Sequence, residues 1–90
     1  MIQLDFPDHE RPALRGRLNQ GKSIITTRVD ADRGQCRPGM IVKTPFGPMR
    51  VIQVTYVPCL AQHPFLKELT TEQIRQCIGQ PMDVIELALM

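Results

Sequence analysis

The sequence predicts a small α+β fold, a closed or nearly closed β-barrel of about five short strands with two flanking helices, and three observations carry that expectation. The chain has 90 residues, enough for one hydrophobic core and too few for two, so residues 1–90 form a single domain. Stretches rich in β-branched residues recur between Pro, Gly and Asp turns at the spacing of short strands. Only two stretches carry the start and stop signals of a helix.

"MIQLDF" reads as an opening strand, with Ile2, Leu4 and Phe6 alternating to one face and Pro7 ending it. Asp8 is placed to cap a helix over "HERPALRGRLNQ", in which Leu14 and Leu18 lie one turn apart and Gly21 is the stop. Pro12 is tolerable near the first turn, and Arg11, Arg15 and Arg17 point mostly away from the leucines. "SIITTRV" follows as a strand, its alternation setting Ser23, Ile25, Thr27 and Val29 on one face and Ile24, Thr26 and Arg28 on the other.

After the loop "DADRGQCRPG", the segments "MIVKT" and "MRVIQVTYV" form a hairpin around "PFGP", with Pro45 preset for the turn and Gly47 relieving it. "ELTTEQIRQCIGQP" is the second helix. Thr70 and Gln73 fit a capping box, Leu69 and Ile74 the hydrophobic staple, and Ile74, Cys77 and Ile78 an apolar stripe. "MDVIELAL" is a nearly continuous apolar strand suited to a central place in the sheet. The order is therefore strand, helix, strand, strand, strand, helix, strand.

An apolar fraction of 42% with no run near the roughly 18 to 20 residues of a membrane span points to a soluble protein with no membrane partner. The acidic start "MIQLDFPDHE" has no leader character, so a cytoplasmic location is expected. Cys36, Cys59 and Cys77 are odd in number, widely spaced and without a C-x-x-C, which argues against a disulfide framework or a zinc knuckle. Cys59 and His63 supply only two ligands, so no metal and no cofactor are expected.

The net charge is only +2, but it is unevenly spread. Residues 11–50 carry nine cations against Asp30 and Asp32, a net of +7, while both ends are net acidic. One basic face, suited to phosphate, is the expected result. Within this region "GKSIITTR" places Lys22, Ser23, Thr26 and Arg28 close together. An arginine fork makes bidentate bonds to phosphate or a base edge, lysine supplies a compact charge, and hydroxyls donate or accept toward a base or ribose. The competing structural reading is that Arg28 braces the barrel against Asp30, Asp32 or Glu86 and that the threonines are ordinary strand formers. Aromatic residues are few: Phe6, Phe46, Phe65 and Tyr56. Phe46, at the hairpin tip, either stacks a base or closes the turn.

Gly21 at a helix end, "KSIITTR" with its Gly-to-Arg spacing, "RPGMIVKT", the hairpin return "VIQVT" and the tail "GQPMDVIEL" together resemble an ASCH domain, a branch of the PUA-like barrels. The resemblance covers nearly the whole chain in order. It implies a PUA-like barrel with a cleft that holds a nucleobase, nucleoside or RNA segment, here bound by Lys22, Ser23, Thr26 and Arg28 with Arg33 and Arg37 of the following loop. Some relatives are acetylcytidine amidohydrolases thought to use a lysine, a threonine and a glutamate, which makes a small hydrolase acting on acylated cytidine, or a ribonuclease, the alternative. The matching threonine is Thr26. The lysine position, two after the glycine, holds Ser23, with Lys22 one residue earlier, and the glutamate position falls on Lys67, with Glu68 adjacent. A triad of Lys22, Thr26 and Glu68 therefore departs from the family pattern by one residue at two of its members.

Overall fold

The computed structural model of the chain describes residues 2–29, 34–64, 66–69 and 71–90, and the backbone alone at residue 68. Its elements are helix α1 (Arg11–Asn19), strands β1 (Ile24–Val29), β2 (Ile41–Thr44) and β3 (Gly47–Val57), helix α2 (Thr71–Cys77) and strand β4 (Met82–Leu89). The strands make one curled, half-barrel antiparallel sheet in the order β1-β4-β3-β2.

Four strands stand among the described residues where five were expected. The opening segment contributes a single parallel bridge, Gln3 to Lys43, with Leu4 N–H donating to the Lys43 carbonyl and Lys43 N–H to the Ile2 carbonyl. It goes no further because the next bond of the ladder would have to run from Pro45, which has no N–H, to the Leu4 carbonyl; beyond it Pro7 leads the chain into a 3-10 turn over Asp8–Glu10. That turn also displaces the expected cap. The Asp8 carboxylate makes no capping bond and instead pairs with Arg11 at 2.9 Å, while α1 starts at Arg11 with Pro12 in its first turn. Gly21, at φ +75°, ends the helix in the left-handed conformation that a side chain disfavours.

β4 is central, and its unbroken apolar character has a direct cause: both of its faces are covered. Ile85 and Leu87 join Leu4, Phe6, Leu18, Ile24, Cys36, Val42, Met49 and Val51 in the larger core, on the α1 side. Met82 and Val84 join Val57 and Cys77 in a smaller core on the α2 side, with Ile25, Val29 and Leu60 packed against it. β1 follows the predicted alternation, since Ile24 and Thr26 are buried toward the larger core and Ile25 and Val29 pack on the smaller one.

The β2–β3 hairpin turns tightly through Pro45 and Phe46, pairing Thr44 with Gly47. The Thr44 hydroxyl accepts from Phe46 N–H at 3.0 Å and donates to the Gly47 carbonyl at 2.8 Å, and Gly47 takes the positive φ of 98°. Phe46 closes the turn: its ring packs on Phe6, 5.7 Å between centroids, and the Arg15 guanidinium lies 5.2 Å over it. In the second helix the capping box falls on Thr70, outside the described residues. The expected stripe also ends one residue early. α2 stops at Cys77 and Gly79 turns the chain at φ +79°, so Ile78 is 63% exposed. No helix among the described residues is long and apolar enough to cross a membrane.

Candidate binding site at the open edge of the sheet

β1 is an edge strand, paired with β4 on one side only. Along its other side runs a cavity of about 370 Å³ that no strand fills. Five consecutive residues, Ile25 to Val29, line it, which is what a hollow set against the strand's edge requires, because residues of both faces reach it. The opening segment supplies a second wall at Asp5–Pro7, α1 a third at Ala13, Leu14 and Arg17, and α2 a fourth at Glu72, Gln73, Gln76 and Cys77. The lining is mostly apolar with a few convergent polar groups, the usual make-up of a small-molecule site.

Thr26 and Arg28 of the predicted set meet here. Thr26 is 7% exposed, and Arg28 reaches across the seam between β1 and the opening segment, its Nη2 donating to the Asp5 carbonyl at 3.2 Å. That carbonyl is the one acceptor of its guanidinium among the described residues, so the fork is not locked by a carboxylate there. Asp83, its register partner on β4, accepts instead from Gly34 N–H at 2.7 Å. Of the three acids expected as its brace, Glu86 takes the Ser23 hydroxyl at 2.7 Å, and Asp30 and Asp32 lie outside the described residues.

The remaining predicted residues lie elsewhere. Lys22 is exposed in the turn before β1, and Ser23 is held by Glu86 on the α2 side; neither lines the cavity. Arg37 is exposed beside the hairpin, with its backbone N–H on Met40 Sδ at 3.2 Å. Arg33 and the Glu68 side chain lie outside the described residues, so of the Lys22, Thr26 and Glu68 triad only Thr26 is placed at the cavity. The arginines of α1 act within the fold. Arg11 Nε donates to the Phe6 carbonyl at 3.1 Å, Arg15 covers Phe46, and Arg17 Nε donates to the Ser23 carbonyl at 3.2 Å, tying the helix end to β1 while the side chain also lines the cavity.

Sequence reasoning missed the acidic and amide groups of the site. Asp5, Glu10 and Glu72 line one hollow with Arg17 and Arg28, so three carboxylates stand against two guanidiniums and the hollow is not a basic one. The mouth is spanned by His9 and Glu72, 3.7 Å apart and both well exposed. The only sequence signal for α2's part was its helical period, which sets Glu72 and Gln76 one turn apart and Gln73 one turn before the buried Cys77.

Three buried titratable groups frame the site. Burial lowers the pKa of His63, 5% exposed, whose Nε2 lies 3.3 Å from the Thr27 hydroxyl, a contact between the chain just after the 3-10 turn Leu60–Gln62 and β1. Burial raises the Cys36 thiol, an effect that Arg28 opposes and Asp83 reinforces, and burial alone raises Cys77. All three cysteines are free, with Cys59 exposed, and no group of three or more potential ligands could hold a metal among the described residues. No protein-family model, curated protein or solved structure matches the chain.

Proposed function

We propose that the chain binds a nucleobase-bearing ligand, a nucleoside, a nucleotide or a base turned out of single-stranded RNA, with the base in the cavity beside β1. The observation that supports this reading is the meeting of Thr26 and Arg28 with the amides of Gln73 and Gln76 around one largely apolar hollow of about 370 Å³. A base is a flat apolar body with a polar edge. Apolar walls such as Phe6, Leu14 and Val29 suit its faces, while hydroxyl, amide and guanidinium groups suit its edge. The balance of acids and arginines makes the base, more than the phosphate, the main source of affinity.

Calorimetry with the four ribonucleosides and a short single-stranded RNA tests this. Binding of at least one nucleoside is expected. Arg28→Ala should weaken it about tenfold, the size of one charge-assisted hydrogen bond. Thr26→Val, which keeps the shape and removes the hydroxyl, should weaken it by a smaller factor. Wild-type protein that binds none of these ligands, or binds them equally well in both variants, would overturn the reading.

The free edge of β1 favours a second reading, a protein-interaction module that takes up an extended peptide segment as a further strand. It gains ground if nucleosides and RNA fail to bind while a β-branched peptide protects the β1 amides from hydrogen exchange.

A further inference from the structure

Arg28 has a hollow on each side of it. Beyond the apolar cavity lies a second recess of about 200 Å³, lined by Gln3, Leu4, Asp5, Arg28 and Gln35. The two share Asp5 and Arg28 as a common wall, braced by the hydrogen bond from Arg28 Nη2 to the Asp5 carbonyl. Their chemistry differs. The first is mainly apolar, whereas the second presents a carboxylate, two side-chain amides and a guanidinium. Gln3 Nε2 sits 3.5 Å from Asp5 Oδ1, so the acid faces an amide and no ion pair removes its acceptor capacity among the described residues.

Resting on the nucleobase reading above, we infer that this second recess takes the ribose of the same ligand and makes the site selective for ribo over deoxyribo sugars. A 2′,3′-diol offers two O–H donors and two acceptor oxygens. The Asp5 carboxylate can only accept, Arg28 can only donate, and Gln3 and Gln35 do both, so the recess meets every part of a diol. A phosphate has no donors at neutral pH and would meet the Asp5 carboxylate as a like charge, so the same lining disfavours it. A deoxy sugar would leave one carboxylate or amide group desolvated and unpaired, which is how a site built for a hydroxyl rejects the analogue that lacks it. The 2′-hydroxyl is also the group by which a protein distinguishes RNA from DNA.

The test compares the affinities of ribonucleosides with their 2′-deoxy and 3′-deoxy counterparts for the wild-type chain and for Gln3→Ala and Gln35→Ala, the two amides that line the second recess alone. Both positions are exposed and neither lines the first cavity, so neither change touches the core or the base walls. The expected wild-type preference for ribose is about tenfold, the worth of one unmade hydrogen bond to a charged group. Each variant should bring the ratio toward one by weakening the ribonucleoside while leaving the deoxynucleoside within about twofold of its wild-type affinity. Equal binding of ribo and deoxy forms by the wild type overturns the ribose assignment and leaves the base site standing. A preference that persists in both variants also overturns it, since discrimination then arises elsewhere. Absence of binding by every nucleoside overturns the base reading and this one together.

Discussion

The two edges of the sheet meet different fates. At the β2 edge the opening segment lies against the strand, bridged at Gln3 and Lys43, and Leu4 and Phe6 complete the larger core. At the β1 edge the same segment meets the strand at the Arg28 bond to the Asp5 carbonyl and then turns off at Pro7, and the gap between strand and helices is a cavity. A covered edge resists unwanted strand pairing, while an edge left open beside two helices presents backbone and side chains to a ligand. The difference teaches that one chain segment does both jobs: it covers one side of the half-barrel and, by stopping short, leaves the site on the other.

The largest effect should come from breaking the covered side. Met49 and Ile24 are fully buried in the larger core, so Met49→Ala or Ile24→Ala should cost about 2–5 kcal/mol of stability in chemical denaturation. A loss below about 1 kcal/mol would mean that the core is far looser than its burial indicates. On the open side, Arg28→Ala should lower ligand affinity about tenfold with little change in the unfolding midpoint, whereas Arg37→Ala, away from both hollows, should change it less than twofold. Equal effects from the two arginines would show that general positive charge, not the seam, does the binding.

Acidification probes the open side in another way, because it acts on the contact of His63 with Thr27 of β1. Folded His63 titrates below its ordinary value of 6.5, so the unfolded chain takes up a proton that the folded chain refuses. Its contribution is therefore complete above about pH 6.5 and is lost progressively as the pH falls toward the lower folded value. A denaturation midpoint measured across that range should drop on the acid side, and His63→Leu should flatten this part of the curve. The smallest effect belongs to the exposed pair between Asp8 and Arg11, for which Asp8→Ala should cost below about 1 kcal/mol, measured in the same denaturation series.

Much of the fold was legible because its signals are local. The two-residue alternation of β1 correctly divides Ile24 and Thr26 from Ile25 and Val29, and the apolar run of β4 correctly marks a strand covered on both faces. That "MIQLDF" would not form the fifth strand was not legible, since it has the right alternation and fails only in what lies opposite it among the described residues: one residue of β2 on one side and no strand partner on the other. The basic stretch misled in a similar way. Arg11, Arg15 and Arg17 look available in the sequence, yet two backbone carbonyls and a phenyl ring engage them.

By itself the sequence determined the faces of each strand, the stops at Gly21 and Gly79, the tight hairpin at Pro45 and the pairing of Thr26 with Arg28 on one face, because each depends on backbone geometry over a few neighbouring residues. Only the tertiary structure decided that Asp5, Gln35, Glu72 and Gln76 gather around Arg28 while Lys22, Ser23 and Arg37 stay outside. Those placements follow from where the chain reverses and which strand edge is left unpaired, and contacts between residues tens of positions apart are set by packing the whole core at once.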